Sequence, residues 1–352
     1  MNKFRALLLG LGVIVAAVSC VTEFQPNTVS IPSALIVEGQ ITNQAGPYTV
    51  KLTRTADYSY KSLNFLEYGA TVVIQDDQGN RETLTELASG GFYRTSANGI
   101  RGVAGRSYTL SIQTKDGLRY ESAAELLQSA PPIKKLYYEY TVEGESFVSA
   151  KNQGWNVYLN MQDPQTPGNY YRWDWAHYEP IDVCFKKEEL DGSLTGLLCC
   201  SPCWDIERCY NCININSDAN VNGNEISRQF VMRVPYKSQS RYYLEVQQQA
   251  ISKGAYTFWK SVKQLTSNTG GLFDAAPQSV QGNVRCVSDP SVMVFGYFGA
   301  TGVSELAINV DRRGGQGVPE VSYPVRIPDQ SPCYVCENSL YRTPNQPRWW
   351  SY

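Results

Sequence analysis

The chain has 352 residues, of which 42% are hydrophobic, 18% are charged and 12% are aromatic, including 24 tyrosines. Low charge combined with many aromatic residues is typical of a β-rich exported protein and argues against a helical cytosolic enzyme. The formal net charge of −2 gives no basic footprint, so nucleic acid is excluded as an expected partner.

The first segment has the pattern of a secretory signal peptide. Lys3 and Arg5 precede an apolar run that ends near Val18 and is too short for a permanent membrane span. The following Ser19-Cys20 completes a lipobox-like ending, although the usual leucine three positions before the cysteine is alanine here. We therefore predict a signal peptide over 1–19, acylation of Cys20 and a lipid-anchored linker over 20–33. An ordinary signal peptide with an incidental cysteine is the alternative.

Residues 34–130 carry a regular series of strand patterns. "LIVEGQI" and "YTVKLTRT" alternate apolar and polar residues, and hairpin turns are predicted at 77–80 and at Asp116-Gly117. Short strands at this spacing predict an Ig-like or transthyretin-like β-sandwich. The phrase "GFYRT…GVAGRSYTLSIQT" resembles transthyretin-like and carboxypeptidase-regulatory-like modules, a likeness that implies a spacer or docking unit.

A larger β-rich domain is predicted over 131–330. The proline-containing "SAPPIKK" at 129–135 marks the boundary, and aromatic-rich strands such as "WNVYLNM" and "RYYLEVQQQ" follow it. Long loops are expected between some of these strands, notably over 186–228. Residues 331–352 form a separate C-terminal tail that contains cysteine and tryptophan.

One prominent helix is predicted near 252–268. Ser252 can cap its start, and Gly270-Gly271 can end it. Apolar residues fall on one face at helical spacing; these are Ala255, Phe258, Trp259, Val262 and Leu265. We expect this face to pack on the second sheet, with a ligand-binding aromatic face as the alternative.

No catalytic motif stands out, and we predict no catalytic residue and no cofactor. His177 is the single histidine of the chain, and no Gly-x-Ser-x-Gly elbow accompanies it. Zinc-protease and phosphate-loop motifs are missing. A hydrolase with paired carboxylates stays open because the fold sets their spacing; the residues available for it are Asp163, Asp174, Glu179 and Asp182.

Two further patterns have a binding interpretation beside a structural one. Abundant tyrosine and tryptophan can provide a platform for glycans or peptides, although in a β-domain they more often pack in the core. The segment "NSDANVNGNE" at 216–225 offers oxygen donors, but its spacing departs from a calcium loop. We expect an ordinary polar turn there and no metal.

Cysteines concentrate in "CCSPCWDIERCYNC" at 199–212. Two Cys-x-x-Cys pairs allow zinc knuckles, disulfides or a redox site, but the five residues between the pairs are too few for common zinc motifs. Export favours disulfides. The nine cysteines available besides Cys20 are Cys184, Cys199, Cys200, Cys203, Cys209, Cys212, Cys286, Cys333 and Cys336. An odd number leaves at least one unpaired or intermolecular; we predict Cys203 with Cys286 and Cys333 with Cys336, and no vicinal Cys199-Cys200 bond.

The segment from 255 to 305 resembles the signature of Bacteroidota lipoproteins known as domain of unknown function 4249. The matching parts are Phe258-Trp259, Gly271-Leu272-Phe273-Asp274, Pro277, Gly282-Asn283, Asp289-Pro290 and Gly296-Tyr297-Phe298. The likeness extends from about Ser33 to Tyr352, through Cys203-Trp204 and the cysteine-bearing tail. It implies an outer-membrane lipoprotein encoded beside TonB-dependent transporters, with no assigned activity. The cysteines at 184–212 exceed the family pattern.

These features together lead to three functional hypotheses. The first is a non-enzymatic, lipid-anchored accessory subunit on the outer membrane, facing outward, whose partner is a β-barrel of the TonB-dependent type. The second is a surface protein that binds glycans or peptides. The third, a carboxylate-based hydrolase, has the least support. The cysteine-rich stretch is the expected docking surface, stapled by disulfides.

Overall fold

The computed structural model describes residues 33–55, 65–144, 148–188, 194–210, 212–267, 280–319 and 336–350. Between 182 and 202, the structure describes the backbone of these residues and not the side chains. These residues form twenty strands and one helix, which confirms the predicted mainly β class. Among them, no helix is both long and apolar enough to cross a membrane.

The strands follow one another closely along the chain. The first ten are β1 (Leu35–Thr42), β2 (Thr49–Arg54), β3 (Phe65–Leu66), β4 (Thr71–Asp76), β5 (Arg81–Thr83), β6 (Thr85–Glu86), β7 (Phe92–Arg94), β8 (Ser107–Gln113), β9 (Arg119–Ser122) and β10 (Glu125–Leu126). The remaining elements are β11 (Ile133–Val142), β12 (Gln153–Gln162), β13 (Tyr170–Glu188), β14 (Leu194–Arg208), β15 (Asn214–Ser217), β16 (Glu225–Pro235), β17 (Tyr242–Ile251), α1 (Lys253–Ser267), β18 (Val284–Cys286), β19 (Val294–Val310) and β20 (Arg342–Thr343).

An eleven-stranded central sheet joins the two ends of the chain. Its order is β20-β14-β13-β17-β19-β1-β2-β7-β6, with β15 beside β13 and β3 beside β2. Strands β1 and β19 run parallel, from Leu35 opposite Val294 to Thr42 opposite Thr301. A six-stranded sheet, β18-β9-β8-β4-β5 with β10 beside β8, and a three-stranded sheet, β11-β12-β16, complete the fold.

The first hydrophobic core lies mainly within the predicted sandwich region, but residues from outside that region complete it. Most of its buried residues come from 35–127, whereas Val284, Cys286, Phe298 and Ala300 come from far later in the chain. Strand β18 also pairs with β9, and β19 pairs with β1. Later strands therefore supply part of the core of the N-terminal region.

The second core lies between the three-stranded sheet and strands β13, β17 and β19. Trp155 and Val157 of β12 meet Trp173 of β13 and Leu244 of β17 there. Because side chains alternate across a strand, the two cores use the same face of the central sheet. The opposite face of that sheet carries the helix.

The hairpin predictions at 77–80 and 116–117 are confirmed by the pairings of β4 with β5 and of β8 with β9. The predicted long loop over 186–228 is wrong, because β13 and β14 form a long hairpin through this region. Pro180 and Pro202 lie within its paired strands. A proline in a sequence argues against a strand at that position. Proline is tolerated at the edge of a sheet, because the N–H that it lacks has no neighbouring strand to bond to there.

The predicted helix is confirmed as α1. Its first turn is capped by Ser252, whose hydroxyl oxygen accepts a hydrogen bond from the Ala255 N–H at 3.0 Å. Ala255 is buried against Ile251 and Tyr297, with Phe258 and Trp259 packed beside them. The predicted packing of this face on the sheet is therefore confirmed.

Candidate functional site

A cavity of about 600 Å³ lies between α1 and the free face of the central sheet, and we call it the trough. Its volume falls in the range of small-ligand sites. The side chains used in the argument below are Glu38, Gln40, Thr49, Lys51, Arg172, Asp174, Gln249, Phe258, Trp259, Tyr297 and Thr301.

Strand alternation explains why these side chains meet in one place. On β1, Leu35 and Val37 are fully buried in the first core, whereas Ile36 and Glu38 line the trough. The same alternation operates on β2, β19, β17 and β13, which together with β1 form five consecutive strands of the sheet. Five strands therefore build a continuous floor, and α1 forms a wall above it.

The floor carries two ion pairs. Lys51 Nζ lies 3.1 Å from a Glu38 carboxylate oxygen, and both side chains are largely accessible, at 36% and 56%. Arg172 Nη2 lies 3.1 Å from an Asp174 carboxylate oxygen, and these side chains are more buried, at 18% and 22%. Gln249 donates a hydrogen bond of 3.1 Å to Asp174. Each cation of the floor is matched by an anion.

Arg172 is positioned by stacking as well as by charge. Its guanidinium carbon lies 4.1 Å from the centroid of the Trp259 ring, which is a cation–π geometry. Its hydrogen bond and ion pair with Asp174 both leave from Nη2. Its Nε is buried and has no hydrogen-bond partner among the described residues. Arg172 therefore keeps unused donor capacity beside the trough.

The end of the trough nearest the start of α1 is fixed by a buried polar network. Tyr297 donates a hydrogen bond of 2.6 Å to the buried carboxylate of Glu125, and Asn283 donates to the same oxygen at 3.3 Å. Burial first, and then the bond to Glu125, raise the pKa of Tyr297, so this hydroxyl stays a donor. A Cβ on Gly254 would lie 2.6 Å from the Tyr297 hydroxyl, so a side chain at this position would push that hydroxyl away.

His177 lies outside the trough, beside a second cavity of about 500 Å³. Its ring stacks on Tyr242 with centroids 3.5 Å apart. Nδ1 lies 2.7 Å from the Tyr243 carbonyl oxygen and Nε2 lies 3.0 Å from the Glu179 carboxylate. Both ring nitrogens therefore have a partner, and these contacts hold the ring in place.

Of the four carboxylates considered for a hydrolase, the three whose side chains are described do not share one cleft. Asp174 lies in the trough, and Glu179 contacts His177. Asp163 is buried and accepts hydrogen bonds from Tyr171 and from the Gly223 N–H. The side chain of Asp182 lies outside the described ones.

The polar segment at 216–225 is held against the turn at 168–169 by hydrogen bonds. One carboxylate oxygen of the buried Asp218 accepts the N–H groups of Gly168 and Asn169 at 2.8 and 2.9 Å. Among the described residues, no group of three or more His, Cys, Asp and Glu is arranged to hold a metal ion. Asp218 thus fixes a turn.

The cysteine pairings differ from those predicted. Cys203 is bonded to Cys336, with Cα atoms 5.7 Å apart, so the predicted partners Cys286 and Cys333 are both wrong. Cys209 is paired with Cys212. Cys286 is a buried free thiol, which matches the expected odd cysteine. Cys20 and Cys333 lie outside the described residues, as do the side chains of Cys184, Cys199 and Cys200, whose backbones belong to β13 and β14.

The Cys203–Cys336 bond attaches the C-terminal tail to β14. Strand β20 pairs with β14, and Arg342 forms an ion pair of 2.6 Å with Asp205. Beside this junction, Tyr210, Leu340 and Tyr341 are exposed at 55%, 63% and 61%. The two tyrosine rings lie 6.1 Å apart. We call these three residues the tail patch; sequence reasoning pointed to the cysteine segment, which contains Tyr210, but not to Leu340 and Tyr341.

Comparisons with known proteins identify the family but no activity. No curated protein matches the chain. The family model described as "Domain of unknown function (DUF4249)" matches residues 21–307. This match covers most of the chain, and the chain therefore belongs to the DUF4249 family.

Proposed function

We propose that this protein is a non-enzymatic outer-membrane lipoprotein that serves as an accessory subunit of a TonB-dependent transporter or a related β-barrel complex. The signal peptide and the lipobox-like Cys20 support an acylated anchor. The membrane face we propose is the outer one. No cofactor is needed for this role.

The tail patch is the observation that carries the docking part of the proposal. Large exposed apolar side chains that lie together mark interaction sites on soluble proteins. Here Tyr210, Leu340 and Tyr341 lie beside two disulfides, so the patch is held in shape before any partner binds. A preorganised surface loses less conformational entropy on association.

The linker after Cys20 supports a partner in the same membrane. Acylation of Cys20 would confine the protein to the membrane that also holds the barrel. Such a tether raises the effective concentration of two membrane-bound partners toward the millimolar range. Even a weak contact at the tail patch is then sufficient.

Co-purification from mild detergent tests this function. The wild-type protein, tagged after Tyr352, should recover an outer-membrane β-barrel protein that mass spectrometry identifies. The double variant Tyr210→Ser, Tyr341→Ser should lose that partner. The matched control is Tyr68→Ser, which removes a ring of similar exposure, 57%, outside the tail patch.

The outcomes separate the parts of the proposal. Recovery of the wild-type protein without any barrel partner would overturn the accessory role. Retention of the barrel by the double variant would place the contact elsewhere on the surface. A Cys20→Ala protein that stays in the membrane fraction would contradict the lipid anchor.

Capture of a glycan or peptide is a second candidate function, favoured by the trough. Its floor combines polar groups with the apolar wall of α1, as binding sites do. A carboxylate-based hydrolase has less support, because Glu38 and Asp174 each face a cation.

A further inference from the structure

We propose that the trough binds a short extended peptide through its free amino and carboxyl termini. This inference rests on the second candidate function, ligand capture, and it names the ligand class. The charges of the floor, their separation, and the groups between them each contribute to the argument.

The charges of the trough favour a ligand that carries one positive and one negative end. Glu38 and Lys51 lie at the β1–β2 side, and Arg172 and Asp174 lie on β13 at the other side. Each pair is neutral as a whole, so a ligand with charge of one sign would be attracted by one member of a pair and repelled by the other. A zwitterion with separated ends meets a favourable partner at each.

The sheet register gives the separation of these ends. Arg172 lies opposite Gln249, Gln249 lies opposite Val303, and Glu38 lies opposite Tyr297, six residues before Val303 on β19. Three strand spacings of about 4.8 Å and six residues of about 3.3 Å give a diagonal of about 24 Å between backbones on a flat sheet. The inward reach of both side chains shortens this, so an extended peptide of roughly five to seven residues matches.

Each end of the trough can rearrange to receive a terminus. The exposed Glu38–Lys51 pair is held weakly, so Glu38 can turn to a terminal ammonium group at little cost. Arg172 uses only Nη2 toward Asp174, and its buried Nε has no partner among the described residues, so the guanidinium must shift from Asp174 for a terminal carboxylate to bind Nε and Nη2 together. Guanidinium and carboxylate groups pair with two parallel hydrogen bonds, which gives this end its specificity.

The groups between the two ends suit a peptide backbone. Gln40, Thr49 and Thr301 provide amide and hydroxyl groups on the floor. A purely apolar chain would cover these groups without replacing their hydrogen bonds to water. The floor is also open at Gly299, where a Cβ would approach no other atom closer than 3.6 Å.

The same features favour a peptide over a sugar chain. A neutral glycan would leave both ion pairs unused, and it would need free aromatic faces for stacking. One face of Trp259 is already covered by Arg172, and the Phe258 ring packs 5.1 Å from the Tyr297 ring. Glycan binding is therefore the competing outcome of the test.

Isothermal titration of the full mature protein provides that test. The main probe is the hexapeptide Ala-Ser-Ala-Ser-Ala-Ser with free termini; the others are the same peptide acetylated and amidated, the tripeptide Ala-Ser-Ala, and maltohexaose. We expect the free hexapeptide to bind at least about tenfold more tightly than the capped peptide or the tripeptide, since each loses charge-assisted hydrogen bonds. Maltohexaose should bind least.

Variants locate the site. Arg172→Gln should weaken binding of the free hexapeptide about tenfold, Arg172→Lys should restore part of it, and Glu38→Gln should weaken it several-fold. The matched control is Arg313→Gln, which removes a guanidinium from an exposed ion pair outside the trough. This control should bind as the wild type does.

Three results would overturn the proposal: equal binding of capped and free hexapeptide, tighter binding of maltohexaose, or no binding of any peptide at roughly millimolar concentration. The comparison of probes uses the wild-type protein, so it does not depend on whether a variant folds. Co-purification of the barrel is measured separately on Arg172→Gln. A wild-type protein that binds the free hexapeptide but recovers no barrel would contradict the accessory role alone, whereas an Arg172→Gln protein that recovers the barrel but binds the hexapeptide weakly would support two separate sites.

Discussion

Cys203 and Cys336 are separated by 133 positions in the chain, yet their Cα atoms lie 5.7 Å apart. A bond across so long a segment restricts the unfolded chain strongly, and typical disulfides add about 2–4 kcal/mol to the free energy of unfolding. Here the bond also holds the tail against β14. The Trp350 ring then packs 4.5 Å from Trp204 and 5.2 Å from Tyr243.

Removal of this bond should therefore destabilise the protein and release the tail. For the double variant Cys203→Ser, Cys336→Ser, we expect a loss of about 2–4 kcal/mol in the free energy of unfolding, measured by denaturant titration without reductant. Reductant should lower the stability of the wild type in the same direction.

The buried free thiol provides the control for this experiment. Cys286→Ala leaves the Cys203–Cys336 bond intact, so its unfolding should remain sensitive to reductant. A linked peptide joining Cys203 to Cys336 should appear in a non-reduced digest. If Cys203 were instead found joined to Cys286, the pairing described here would be disproved.

Helix α1 lies beside one face of the central sheet and forms the wall of the trough. Its position depends on the Ser252 cap and on the close approach of Gly254 to Tyr297, both at its first turn. Phe258 and Trp259 then face the floor, where Trp259 holds Arg172 in place. A change at the first turn should thus affect the whole wall.

Ser252→Ala tests the contribution of the cap. Loss of the hydrogen bond to the Ala255 N–H should cost about 1 kcal/mol, which corresponds to a roughly fivefold loss of hydrogen-exchange protection in α1. Ser261→Ala is the matched control, because Ser261 is half-buried and its hydroxyl donates to the Thr257 carbonyl within the helix, not to the helix start. Equal protection in both variants would show that Ser252 does not cap the helix.

Strand β14 of the β13–β14 hairpin is the element that sequence reasoning missed. Its pairing runs from Ala176 opposite Arg208 to Glu188 opposite Leu194, through a segment rich in cysteine and interrupted by proline. Local strand propensity is weak there. The neighbouring strand β17 and the attached tail select the strand conformation that propensity alone did not predict.

At the scale of the whole molecule, the parallel pair β1–β19 unites the two halves of the chain. The first core depends on Phe298 and Ala300 from β19 and on Val284 and Cys286 from β18. A fragment that ends at the proline-rich boundary lacks all four side chains. It also exposes the inner edge of β1, and unpaired strand edges promote association.

The isolated fragment 33–130 should therefore fail to form a stable monomer. Burial of a phenylalanine of this kind contributes about 3–5 kcal/mol, a large part of the stability of a small domain. Light scattering and proton chemical-shift dispersion would measure the result, with the full mature chain as reference. A monomeric fragment with dispersed methyl signals would contradict the interdependence of the two halves.

The sequence alone determined the features that depend on local pattern. Alternation predicted a mainly β fold, turn residues located two hairpins, and Ser252 with its apolar spacing located α1. The family likeness was also readable from sequence, and the family match confirms it. These properties involve residues close together in the chain.

Only the tertiary structure decided the features that depend on long-range contacts. The partner of Cys203, the parallel pairing of β1 with β19, and the meeting of Glu38, Lys51, Arg172 and Asp174 in one trough all join residues far apart in sequence. Periodicity shows which face of a strand is buried, but it carries no information on which strand lies next to it. The neighbours of each strand, and with them the proposed binding site, follow from the packing of the whole chain.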